Sequence, residues 1–192
     1  MSRVVIDLEA TCWDVDKEKQ RRESETIEIG AIYTTDDYQP LGQFQTFIRP
    51  VRNPTLTEFC TTLTSIQQAD VDRAPTFEDA IRLFGDETER VLGKRLAQIM
   101  FCSWGNYDKT QFERDCLFHG VTYPFGVHRN LKDEFSKTMG CKPCGMRRAM
   151  ERLKIPLVGT HHRGIDDASN ITIIARTIWG TTRDDHVRHR RT

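Results

Sequence analysis

The run Val4-Val5-Ile6-Asp7-Leu8-Glu9 sets two carboxylates inside an otherwise apolar, largely β-branched stretch. Such a stretch predicts a buried strand. Side chains alternate along a strand, so Asp7 and Glu9 share one face, roughly 7 Å apart at the backbone. Two anions side by side against a hydrophobic core raise the free energy unless something positive neutralises them. Two readings follow. Either the acidic face meets solvent, or an interior strand presents carboxylates to a hard divalent cation, which prefers carboxylate oxygens. Val4, Val5, Ile6 and Leu8 give the run the character of a central strand, which favours the second reading.

The rest of the chain predicts an α/β domain. After a charged loop over residues 14–25, further strands are expected at Thr26–Tyr33 and Gln43–Ile48. Strands joined only by loops suggest an antiparallel meander. Helical signals then take over. Thr64 with Gln67, and Thr76 with Asp79, have capping-box form. Phe77, Ala80, Ile81, Phe84, Val91 and Leu92 recur at helical spacing. A fourth strand is expected within Gln98–Trp104, a helix over Lys109–His119, a short strand near Val127–Asn130, and helices near Pro143–Leu153 and Asp166–Trp179. This order fits a ribonuclease-H-like mixed sheet flanked by helices. One domain is expected over residues 1–180, with a frayed tail over 181–192.

Composition narrows the functions. Twenty-eight Lys and Arg balance 28 Asp and Glu among the 192 residues. Proteins that coat nucleic acid are usually strongly basic, so any nucleic-acid contact here is expected to be local. No run of eighteen apolar residues is present, so no membrane partner is expected. The first apolar stretch is interrupted by Asp7, which does not suit a signal peptide. The six cysteines then predict reduced thiols in a cytoplasm.

Two further clusters carry chemistry. Asp108 follows the fourth expected strand; it reads either as the cap of the next helix or as part of a site at a strand edge. In His161-His162-Arg163-Gly164-Ile165-Asp166-Asp167, a histidine precedes an aspartate by five positions, with a glycine between them to let the chain turn. Histidine is the natural acceptor of a proton from water near neutral pH.

Together, Asp-x-Glu, a central Asp and His-x4-Asp resemble the DEDDh 3′–5′ exonuclease superfamily. Within it, the segments Asp7–Trp13, Glu25–Ala31, Arg49-Pro50, Leu56–Cys60, Leu63–Ile66, Val71-Asp72, Ser103-Trp104, Asn130–Lys132 and His162–Asp167 are similar to the histone-mRNA and RNA-interference type 3′ exonucleases. Bacterial relatives of that branch include the inhibitor of the sporulation-kinase pathway. The resemblance implies that Asp7, Glu9, Asp108 and Asp167 bind two divalent cations, Mg²⁺ or Mn²⁺. It implies that His162, rather than His161, is the general base, and leaves Asp166 as a cap or supporting group. It also implies that Ala10, Phe59, Leu63, Thr64 and Trp104 flank the terminal nucleotide of a single-stranded RNA or DNA 3′ end; ordinary core packing is the alternative for these side chains. The expected activity is release of nucleoside 5′-monophosphates, RNA favoured. The rival readings are a DNA-directed exonuclease and a regulatory module that keeps the fold and acts through a protein partner.

Two signals stand apart. Cys141-Lys142-Pro143-Cys144 and Cys116-x2-His119 together have the residue types of a Cys3His zinc site, with incidental or buried thiols the preferred reading. Arg147, Arg148, Arg152 and Lys154 form a basic group on or near one helix, which reads as a solvated face or a nucleic-acid contact.

Overall fold

The computed structural model describes residues 2–180, so the tail expected over 181–192 lies outside the described residues. Five strands form one mixed sheet in the order β3-β2-β1-β4-β5. The acidic strand β1 (Arg3–Ala10) is its centre, antiparallel to β2 (Thr26–Thr34) and parallel to β4 (Met100–Ser103). β3 (Pro40–Phe47) closes the antiparallel meander beside β2, and β5 (His128–Asn130) extends the parallel half. The β1–β2 register pairs Asp7 with Gly30 and Glu9 with Glu28, then shifts between Glu9 and Ala10.

Alternation along β1 decides what each face meets. Val4, Ile6 and Leu8 pack with Phe77, Ala80 and Phe84 of α4 (Phe77–Leu92) and with Phe112 of α5 (Tyr107–His119). Val5, on the opposite face, packs with Leu131 and Phe135 of α6 (Leu131–Thr138), Ala149 and Met150 of α7 (Met146–Leu153), and Ile171 and Ile174 of α8 (Gly164–Trp179). Asp7 and Glu9 continue the Val5 face, towards the end of the sheet where α8 begins. A small third cluster of Cys12, Ile27, Leu56, Cys60, Ile66 and Val71 seats α2 (Glu58–Thr64) and α3 (Gln68–Asp72) against the meander.

Several expectations need correction. The charged loop contains a helix, α1 (Lys17–Glu23), capped by Asp16. Thr64 ends α2 rather than starting a helix, because Ser65 turns left-handed there; the capping box belongs to Gln67 and Asp70. Thr76 does cap α4, accepting from Asp79 N–H at 3.2 Å. Helix α6 was not anticipated at all. Asp108 is no cap either, since α5 starts two residues early, behind Asn106.

The cysteine pairs do not converge. Cys116 packs among the side chains of α4 and β1, and His119 stacks on Phe77 with centroids 4.9 Å apart. Cys141 and Cys144 pack against the other cluster, with Val5 and Cys102.

Candidate active site

Three segments deliver the acidic groups to one end of the sheet. β1 supplies Asp7 and Glu9, the first turn of α5 supplies Asp108, and the first turn of α8 supplies Asp167. Asp7, Glu9 and Asp167 each offer a carboxylate oxygen within 4.8 Å of the others. Asp108 is fastened to the strand itself, its Oδ1 accepting the Leu8 N–H at 3.1 Å.

Burial raises the pKa of every one of these four carboxyls. Burial, then repulsion from Asp108, Glu9 and Asp167, lifts the Asp7 carboxyl well above the usual carboxylate range. Burial and Asp167 push Glu9 up to about 9, and burial pushes Asp108 up to about 6 against the opposing Leu8 hydrogen bond. Asp167 is raised by burial and held back by His161. Such a cluster fits hard divalent cations: oxygens this close can ligate one ion at about 2.0–2.6 Å, and the ion removes the repulsion that raises their pKa values.

The histidines sit against Asp167. His161 Nδ1 donates to Asp167 Oδ2 at 2.9 Å, and the backbone N–H of His162 donates to the same oxygen at 3.1 Å. The two rings stack, centroids 4.0 Å apart. His162 takes a left-handed backbone, φ 65°, which tips the chain back over the acids. Its pKa is lowered by burial and by the neighbouring imidazole of His161. Asp166 points the other way and accepts the Thr160 N–H at 2.8 Å, folding the loop onto the helix start.

That loop is anchored by a residue the sequence reading did not single out. Glu28 on β2, fully buried, accepts the Gly164 N–H at 3.0 Å, pairs with Arg163 at 3.2 Å, and accepts from Gln45 at 2.6 Å. Gly30 lets α8 touch the sheet: a Cβ there would lie 2.0 Å from the Gly164 carbonyl carbon. Glu25 does the same service for the turn after β3, accepting the N–H groups of Val51, Arg52 and Asn53 at 2.8–3.1 Å. The available signal was one acid inside an apolar strand, Glu28, and another, Glu25, just before it, both in the segment already quoted.

All four carboxylates and both histidines line one cavity of about 430 Å³. Ala10, Phe59, Leu63 and Trp104 line it too; Thr64 does not. Thr64 is fully buried, its hydroxyl donating to the Cys60 carbonyl at 2.9 Å and accepting from Ile66 N–H at 3.2 Å. Trp104 is fixed in the wall, with its indole N–H on the Cys144 carbonyl at 2.9 Å and its ring against Phe135. The freer aromatic faces are Phe59, 37% exposed, and Tyr107, 48% exposed, which the sequence reading missed. Lys17, Gln20 and Trp13 complete the rim beside α1. A second cavity of about 350 Å³, between β3 and α8, has Arg176 as its only charged wall residue among the described residues.

A mixed five-stranded sheet flanked by helices, with acids gathered at one end of its central strand, defines a ribonuclease-H-like nuclease fold. Residues 4–175 match the exonuclease family model, and the chain belongs to that family, as a 3′–5′ exonuclease of the DEDDh group. The chain is 31% identical over 170 residues to the probable 3′–5′ exonuclease KapD of Bacillus subtilis, covering 87% of this chain and 79% of that protein. It is 32% identical over 182 residues to human ERI1 exoribonuclease 3, covering 91% of this chain but only 52% of the relative. Among solved structures, the nuclease domain of 3′hExo bound to rAMP superposes with a TM-score of 0.83 at 26% identity, covering 92% of this chain and 90% of that one.

Proposed function

We propose that this domain shortens single-stranded nucleic acid, RNA in preference to DNA, one nucleotide at a time from the 3′ end, releasing nucleoside 5′-monophosphates. The observation that carries this reading is the meeting of Asp7, Glu9, Asp108, Asp167 and His162 in one cavity with exposed aromatic faces.

Asp7, Glu9, Asp108 and Asp167 would hold two divalent ions, Mg²⁺ or Mn²⁺. When bound, such ions supply Lewis-acid activation of water and neutralise charge on the departing oxygen. His162 accepts the proton of the attacking water; its lowered pKa keeps it neutral, and so able to do so, at neutral pH. The water oxygen bonds to phosphorus as the bond from phosphorus to the 3′ oxygen of the preceding nucleotide breaks. Phe59 and Tyr107 offer π-faces to the terminal base, with Leu63 beside them, which suits any base. The backbone at Glu9 and Ala10 meets the terminal sugar, where a 2′-hydroxyl both donates and accepts. The ERI1 relatives are named exoribonucleases and the 3′hExo domain was solved with rAMP, which supports RNA.

The test is degradation of a 3′-extended strand as RNA and as matched DNA, 5′-labelled, with Mg²⁺, with Mn²⁺ and with chelator. A ladder of 3′-shortened RNA appearing only with metal, and faster than DNA, is expected. Equal rates on RNA and DNA would remove the RNA preference, and full activity in chelator would remove the metal mechanism.

A further inference from the structure

Helix α1 stands on the rim of the cavity although none of its seven residues is buried. Polar contacts hold it instead. Asp16 Oδ1 accepts the Lys19 N–H at 2.8 Å; Gln20 Oε1 accepts the Trp13 N–H at 3.1 Å, and Gln20 Nε2 donates to the Thr11 carbonyl at 3.3 Å. The helix is thereby tied to residues that follow the acidic strand within a few positions.

The charges on this helix divide sharply. Glu18 pairs with Arg22 at 3.5 Å, and the Lys19 ammonium lies over the Trp13 ring, 4.6 Å from its centroid. Lys17 has no ion-pair partner among the described residues. Among the described residues it is also the only lysine or arginine lining the cavity, exposed on the rim while Glu9, Asp108 and Asp167 are buried on the floor.

We propose that Lys17 grips the phosphate one nucleotide upstream of the scissile one and so selects a polynucleotide over a single phosphodiester. This rests on the exonuclease reading. The scissile phosphate belongs on the floor, among the carboxylates. The strand must then leave through the open side, and its next phosphate reaches the rim with no cation from the floor to meet it. A lysine there is a mobile point charge with three donors, tolerant of backbone conformation. Contacts to phosphate fix the register of a strand and carry no base information, so this grip suits an enzyme that must accept every sequence. Lys17 acts as a positioning residue, holding the strand while the floor does the chemistry.

The test compares two substrates of the full chain with Mn²⁺: a short single-stranded oligonucleotide, and the p-nitrophenyl ester of thymidine 5′-monophosphate. The ester holds the scissile phosphate and no other. Failure of the unaltered protein to cleave either substrate would count against the nuclease reading itself, separately from Lys17. Given cleavage, Lys17→Ala should raise KM for the oligonucleotide by about tenfold with kcat within about twofold, and Lys17→Arg should restore most of it. The loss in kcat/KM on the ester should be several times smaller. The plot of log kcat/KM against log salt should become shallower by about 0.7, one phosphate contact on a single strand. An unchanged oligonucleotide KM, an equal proportional loss on both substrates, or an unchanged salt slope would overturn the proposal.

Discussion

Asp7 illustrates a conflict that a single atom can expose. Its pKa is raised by burial and by four neighbouring acids, so in the metal-free protein its charge opposes the fold around it. Asp7→Asn replaces an anion with a neutral amide of the same shape. Activity should fall by at least about 10²-fold, since an amide holds a divalent ion poorly. Thermal melts in chelator should show the same variant more stable than the parent, by about 0.5–2 kcal/mol, as is common when an active-site repulsion is removed. A variant less stable in chelator would mean that the acids are not repelling one another. His162→Ala should slow turnover about 10²–10⁴-fold. Imidazole accepts a proton only when neutral, so the rate falls as pH drops through its pKa. Burial and His161 lower that pKa, which moves the acid limb of the pH–rate profile below the ordinary value of about 6.5. A larger loss from His161→Ala would instead assign the base to the ring that holds Asp167. Replacing Phe59 by Ala should weaken binding of all four terminal bases alike by about 1–3 kcal/mol, read as KM.

Among elements, the contact between β2 and the start of α8 decides where Asp167 and the histidines stand. Glu28→Gln leaves the Arg163 guanidinium, 23% exposed, facing an uncharged amide inside the protein. Breaking one side of a largely buried pair typically costs about 3–5 kcal/mol, and urea unfolding should show a loss near the lower end because Arg163 keeps some solvent. A loss below about 0.5 kcal/mol would mean that the pair does not hold the helix. The ease with which elements can be read from the sequence follows the same physics. β1 is legible because β-branched residues lead into the acids and Leu8 separates them, and α4 because its apolar residues recur at helical spacing. Helix α1 buries nothing, so no hydrophobic period could reveal it; its support is hydrogen bonds made at a distance of several residues. Helix α6 is only eight residues long and shows two buried apolar positions, Leu131 and Phe135, too few to establish a period. Its Asn130 cap, accepting from Asp133 N–H at 3.1 Å, was the available signal. Tyr107 escaped notice because placing the start of α5 at Lys109 left it in a loop, whereas it opens the helix beside Asp108. Thr64 was misplaced because a threonine followed three residues later by glutamine suits a helix start, and only the left-handed turn at Ser65 reveals an end.

For the molecule as a whole, the acidic cluster links stability to pH. A carboxyl whose pKa is raised on folding binds its proton more tightly in the native state. Its contribution is therefore full below the unfolded value near 4 and is lost as pH rises through the folded one. Asp108 at about 6 and Glu9 at about 9 place that loss between about pH 4 and 9, with Asp7 acting in the same direction. Metal-free protein should accordingly lose stability from this cluster as pH rises through neutrality, and Mg²⁺ or Mn²⁺ should reverse it. Binding of the ion should release protons, so calorimetric heats at pH 7 should differ between buffers of different ionisation enthalpy. Identical heats in all buffers would mean that the acids are already ionised.

The anchoring of α8 onto β2 by Glu28 and the close approach at Gly30 have a consequence for how this protein fails on heating. Sites built on loose loops lose function in a local opening well before the domain melts. Here the stretch bearing both histidines is clamped, at Arg163 and Gly164 just after them, to a strand beside the centre of the sheet. Inactivation and melting should therefore trace one curve: the temperature at which half the activity is gone is the temperature at which half the sheet is gone.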